Sequence, residues 1–217
     1  MERTDGITAY FELTAQRPEL FAQSETVPLV LDEGRMRAFS TASGRPMGLV
    51  YDNRPYYMVL ADLCTANGRE FSYARVVYPQ AGTNGSVAVP RKDGKFGLLR
   101  MYRHPPRAES LEFPRGYGEA GLTPEENVRK ELREEMGAEA SAVEYLGSVR
   151  TDTGLSAGCV QIDLAEIRTD AVQEGHEGIK ELLWLTEEEL RRAAARGEIT
   201  DGITLSAFAL YGCREER

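Results

Sequence analysis

Residues 116–138 read GYGEAGLTPEENVRKELREEMGA, and they place three glutamates, Glu131, Glu134 and Glu135, within one helical turn. An α-helix advances about 100° per residue, so positions i, i+3 and i+4 share a face. Carboxylates at that spacing repel one another and weaken the helix. A hard divalent cation such as Mg²⁺, which takes oxygen ligands, removes the repulsion. The alternative is a solvated charged face, which many Glu-rich helices present. The helix itself is well specified. Thr123 suits the N-cap, Pro124 the first helical position and Glu126 the third, which makes a capping box. Gly137 stands where a C′ glycine ends a helix. Val128, Leu132 and Met136 form an apolar row beside the carboxylates, so one side is expected on a core and the adjacent side on a cleft.

Working outward, the stretch resembles the Nudix box, G-x5-E-x7-R-E-U-x-E-E-x-G-U, with U a bulky aliphatic residue. Gly116, Glu131, Leu132, Glu134, Glu135 and Gly137 match it. Leu122 stands in place of the first Glu, Lys130 in place of the Arg, and Ala138 is small for the last U. In the family that Glu and Arg pair and brace the loop against the helix. The departure implies that the brace is given up, with Leu122 packed inward, while the metal-binding carboxylates are kept. The preceding run 86–119, SVAVPRKDGKFGLLRMYRHPPRAESLEFPRGYGE, resembles the lead-in of Nudix enzymes that cleave ADP-ribose and related nucleoside diphosphate sugars. Tyr102, Arg103, Glu112, Pro114 and Gly116 fill its YR and E-[LF]-P-x-G slots. Segments 179–190 and 197–212 resemble the family's last strand and closing helix. The likeness runs loosely over 45–212 and strongly over 86–138.

The resemblance implies an α/β fold, a Nudix-type α/β/α sandwich with a mixed sheet over residues 81–217. Residues 1–80 then form an N-terminal helix and β-rich extension, which in relatives helps build a homodimer. The implied activity is Mg²⁺-dependent hydrolysis of the pyrophosphate bond of a nucleoside diphosphate linked to another moiety. ADP-ribose or a related nucleotide sugar is the expected substrate, cut to a nucleoside monophosphate and a sugar phosphate. Mn²⁺ is the alternative metal. Glu131, Glu134 and Glu135 are the expected ligands, with Gly116 adding its carbonyl and Glu135 bridging if two ions bind. Glu112 is expected to support substrate or metal-bound water. A general base must come within hydrogen-bond reach of the attacking water. Relatives often draw it from the loop before the last strand, where Glu177 is the first candidate and Glu174 the second. Arg103, Arg107 and Arg115 are candidates for the phosphates, because a guanidinium offers paired donors. Two other readings stay open: a nucleotide-sugar sensor without turnover, and a Nudix enzyme for dinucleotides or coenzyme A.

Composition bounds these readings. A net charge of −9 argues against a nucleic-acid surface, which needs clustered Lys and Arg. It leaves a nucleotide substrate open, since bound metal and a few arginines set the local field. No apolar run approaches the ~18–20 residues of a membrane span, and the N-terminus lacks a secretory pattern. Cys64, Cys159 and Cys213 have no metal-ligand spacing, as expected of thiols in a cytoplasmic protein.

Along the chain, a helix over roughly the first twenty residues breaks near Arg17-Pro18. The runs VPLVLDE, GLVYD, YYMVLADLC and FSYARVVYP read as strands. SVAVPRKDG and KFGLLRMYRH pair as a hairpin about Lys92-Asp93-Gly94. Strands are expected over AVEYLGSVRT, 157–167 and LLWLT, and helices over EEELRRAAARG and ITLSAFALYG.

Overall fold

The computed structural model describes residues 5–54, 56–78, 85–119, 121–169 and 178–214. The chain divides into two compact units, Met1–Ala81 with Asp152–Gly158, and Gly82–Thr151 with Cys159–Arg217.

In the first unit, helix α1 (Gly6–Gln16) is capped by Asp5, whose carboxylate accepts from Ile7 N at 3.0 Å. It stops before Pro18, which has no N–H to continue the ladder, and a 3₁₀ turn, Pro18–Phe21, follows. VPLVLDE is not a strand. Only Leu29 makes a bridge, to Cys64, and Asp32 caps a helix α2 (Glu33–Ser43) that the sequence reading did not contain. Strands β1 (Gly48–Asn53), β2 (Tyr57–Ala66) and β3 (Arg69–Val77) form an antiparallel meander with β2 in the middle. Met58 and Leu60 pack with Tyr10, Leu13 and Met36. Within that core the Tyr10 hydroxyl donates to Asp62, and Arg75 forks onto the same carboxylate. Burial, reinforced by the Asp62 charge, pushes the Tyr10 phenol well above its ordinary pKa. Segment Asp152–Gly158 joins this unit through a Val76–Ser156 bridge and the Tyr73 hydroxyl, which donates to the Gly154 carbonyl at 2.8 Å.

The second unit is a seven-stranded mixed sheet. Its strands are β4 (Gly85–Lys92), β5 (Lys95–Arg103), β6 (Ala108–Glu112), β7 (Arg115–Tyr117), β8 (Glu139–Arg150), β9 (Cys159–Thr169) and β10 (Ile179–Thr186). The order is β10-β5-β4-β9-β8, with β6 beside β5 and β7 beside β4. β4 and β9 run parallel and the other pairs are antiparallel. The expected hairpin closes through Asp93 and Gly94, both at positive φ, as a two-residue turn of this hand requires.

Strand alternation sorts the core into two layers. Val87, Val89, Leu98, Ile162 and Leu164 face helices α4 (Glu187–Ala195) and α5 (Gly202–Cys213) through Leu190, Ala193, Ala207 and Tyr211. Ala88, Leu99, Met101, Ala165 and Ile167 face helix α3 (Pro124–Met136) through Val128, Leu132 and Met136. The unit is therefore the expected α/β/α sandwich. Ala138, short for its place in the box, is fully buried in the α3 layer.

Candidate functional site

α3 begins and ends where its sequence says. Thr123 Oγ1 accepts from Glu126 N at 3.2 Å, the Glu126 carboxylate accepts from Thr123 N at 2.7 Å, and Gly137 takes a left-handed conformation. Two buried rows run along the helix. Val128, Leu132 and Met136 meet the sheet, while Asn127, Glu131 and Glu135 form a polar row one residue earlier on each turn. Glu134 is half-exposed.

The polar row is set against β7. Gly116 packs so tightly on Glu131 that a Cβ there would lie 2.1 Å from the carboxyl carbon and 2.2 Å from Oε1. A side chain at 116 would enter that gap only by displacing the Glu131 carboxylate, so the glycine serves the placement of Glu131 rather than turn geometry. Its carbonyl oxygen lies over Gly85, where a Cβ would come within 2.5 Å of it. The next anchor is Arg115 N, which donates to Glu135 Oε2 at 3.0 Å.

Lys130 occupies the Arg position of the box. Its Nζ lies 2.5 Å from Glu134, 3.1 Å from Glu119 and 3.6 Å from Glu131. The Glu134 contact outweighs burial and raises the Lys130 pKa. Leu122 does not pack inward as expected. It is 39% exposed, and the acid that braces the loop to Lys130 is Glu119, three residues earlier. With Lys130 among the carboxylates, no three acidic, histidine or cysteine side chains gather as a metal cage among the described residues. The donor set still suits a hard cation. Glu131, Glu134 and Glu135 are oxygen donors on one turn, and the tight Gly116 contact holds Glu131 against the β7 backbone.

Beside this row lies a charge network that sequence reasoning had assigned to substrate. Glu112 is 2% exposed and accepts from Arg103 Nη2 at 2.7 Å and Nε at 3.1 Å. Arg115 Nη2 reaches the same carboxylate at 2.7 Å, and its Nη1 donates to Asp201 at 3.0 Å. Asp201 caps α5 by accepting from Thr204 N at 2.8 Å, and Thr204 Oγ1 accepts from Phe113 N at 3.1 Å. Burial acts to lower the Arg103 pKa. Burial is the largest single effect, but the Glu112 bonds and charge, with the charges of Glu135 and Asp201, together outweigh it and raise the value. Arg103, Glu112 and Arg115 are thus brought together, and they face one another.

Arg107 is placed elsewhere. It sits at positive φ in the exposed β5–β6 turn, its Nη1 3.0 Å from His104 Nδ1. Glu174 and Glu177, the candidate bases, lie outside the described residues. Four residues of the site region escaped the sequence reading: Glu119, Asn127, Asp163 and Asp201. For Asp201 a signal existed, since Asp-x-x-Thr before an apolar run is a helix N-cap pattern.

Comparison with known proteins adds a family and a fold. The family model described as "NUDIX domain" matches residues 83–203. An ADP-ribose pyrophosphatase of Mycobacterium tuberculosis is 32% identical over 128 residues, covering 56% of this chain and 62% of the relative. A methanol dehydrogenase activator of Bacillus methanolicus is 27% identical over 119 residues, covering 54% of this chain and 62% of the relative. The chain thus matches about three-fifths of the length of these curated relatives. A solved structure described as an ADP compounds hydrolase superposes with a TM-score of 0.66 at 18% identity, covering 77% of this chain and 91% of the other.

Proposed function

The chain belongs to the Nudix family, and on that premise we propose that it hydrolyses the pyrophosphate bond of a nucleoside diphosphate linked to a sugar, with ADP-ribose as the leading substrate. The observation that carries this is the fit of Gly116 against Glu131, with Glu135 anchored on Arg115 N. It holds two carboxylates of one helical turn against β7 with no side chain between, and like charges so placed favour a cation among them beyond Lys130. The M. tuberculosis relative points to ADP-ribose within that class.

Glu131, Glu134 and Glu135, with the Gly116 carbonyl, would hold one or more divalent ions, Mg²⁺ first and Mn²⁺ second. When bound, such an ion neutralises phosphate charge and makes a nucleophilic hydroxide available near neutral pH. The protein groups do the rest. Arg115 N orients Glu135, and Glu112 fixes the Arg103 and Arg115 guanidiniums beside it. Guanidiniums so held have donors left for a diphosphate, and their positions are fixed before substrate arrives. Glu177, or failing it Glu174, takes the proton of the attacking water. Water attacks one phosphorus, its P–O bond to the bridging oxygen breaks, and the leaving phosphate ester departs with that oxygen.

A second reading has one observation in its favour. Lys130 Nζ already neutralises Glu134 and approaches Glu131, which suits a domain that binds nucleotide sugars without cutting them. Hydrolysis of ADP-ribose to AMP and ribose 5-phosphate, followed with Mg²⁺ and with EDTA, separates the two. Metal-dependent turnover lost in Glu135→Gln supports the enzyme, and saturable binding without turnover supports the sensor.

A further inference from the structure

The polar row of α3 has a member that the metal reading does not use. Asn127 stands one turn before Glu131 and two before Glu135, and it is 2% exposed. Glu131 and Glu135 both have partners, but among the described residues neither Asn127 Nδ2 nor Asn127 Oδ1 has a hydrogen-bond partner. A buried carboxamide normally bonds through both ends, and one that does not calls for a water, an ion or a ligand.

We propose that Asn127 is a positioning residue of the cation site, its carboxamide holding a water ligand of the ion bound by Glu131 and Glu135. The inference rests on the reading that these carboxylates bind a divalent cation. Three features carry it. Residues i, i+4 and i+8 of a helix span only about 80° of arc, so the carboxamide stands in line with the carboxylates. The row faces the Arg115–Gly116 backbone, which bonds Glu135 and presses on Glu131. Finally, a carboxamide presents both an acceptor and donors. Oδ1 can accept a hydrogen bond from a water polarised by the cation, and Nδ2 can donate one to a second water. Lysine in this place would repel the ion, and aspartate would add a third charge to the row.

Direct titration with Mn²⁺, read by electron paramagnetic resonance of the free ion and by relaxation of water protons, tests the assignment in the intact chain without substrate. Asn127→Ala is expected to bind Mn²⁺ about 10-fold more weakly, the lower end of what partners behind the ligands contribute. The relaxation enhancement per bound ion should also change, because an ordered water loses its anchor. Asn127→Asp keeps an acceptor in place and should retain wild-type affinity or exceed it. Melting of each variant in EDTA confirms that it is folded. Wild-type Mn²⁺ affinity and relaxation in Asn127→Ala would overturn the assignment and leave the metal reading intact. Failure of the wild-type protein to bind Mn²⁺ would overturn both.

Discussion

Replacing Asp163 by asparagine should stabilise the second unit at neutral pH and do little in acid. Asp163 lies on β9 opposite Ala88 and Tyr145, on the face that meets α3, and is 2% exposed. Its two carboxylate oxygens accept from Gln161 Nε2 at 2.9 and 3.0 Å. Burial raises its pKa from 3.8 to about 6, against the Gln161 bonds and with some help from the Glu125 charge. Between those two values the folded protein holds a proton that the unfolded chain has released. Stability therefore falls as pH rises from about 4 to about 6 and levels off above. A rise of about 2 units corresponds to about 3 kcal/mol at most. Solvent screening around the strand lowers this to about 2 kcal/mol. Asparagine carries no charge, and Gln161 can turn its amide to face it. Urea unfolding of wild type and Asp163→Asn from pH 4 to 8 should give a difference near zero at pH 4 that reaches ~2 kcal/mol above pH 6. In melting experiments the gain at pH 7.5 should be roughly 5 °C. A difference independent of pH, or a variant less stable at pH 7.5, would refute the reasoning.

Gly116→Ala puts a methyl within 2.2 Å of the Glu131 carboxylate and displaces it; turnover should fall about 100-fold, while stability in urea unfolding changes by no more than about 1 kcal/mol. Glu112→Ala leaves the Arg103 and Arg115 guanidiniums without their shared buried partner, at a cost of about 3–5 kcal/mol. Arg107→Ala, in an exposed turn, should stay within about 0.5 kcal/mol of wild type in the same assay. Tyr10→Phe removes one of the bonds to buried Asp62, and a loss of about 1–2 kcal/mol confined to the first unit is the expected result by hydrogen exchange.

The parts of this fold that sequence reveals are those whose causes are local. Thr123, Pro124, Glu126 and Gly137 set the ends of α3 by bonds within four residues, and Asp93-Gly94 sets the β4–β5 turn by its own backbone preference. Helix α2 was lost because VPLVLDE looks like a strand. Its apolar residues Leu29 and Val30 serve the sheet by a single bridge and one backbone bond, and Asp32 turns the chain into a helix instead. The arginines illustrate the other limit. Arg103 and Glu112 are nine residues apart but meet across the β5–β6 hairpin, and Arg115 reaches Asp201 over 86 residues. Nothing in their spacing says that an arginine expected at phosphate holds a buried acid instead.

The residues that were overlooked share a feature that a sequence does carry. Asp163 takes the β9 parity of Ala165 and Ile167, which face α3, and Asn127 takes the turn before Glu131 on the buried side of its helix. Each is a polar residue at a position whose period assigns it to the interior. Such a residue costs stability unless something answers it. For Asp163 the answer is only partial, a single Gln161 amide, and the raised pKa measures what is left over. For Asn127 no group among the described residues answers. Both stand on the α3 side of the sheet, the side that carries Glu131 and Glu135, whereas the layer under α4 and α5 is almost wholly apolar. One face of the sheet is thus built for packing alone, and the other gives up packing energy around the carboxylates. That asymmetry is what an enzyme of this family needs if its ion is to be held by rigid elements, and it can be seen in the periodicity of β9 and α3 once the two faces are told apart.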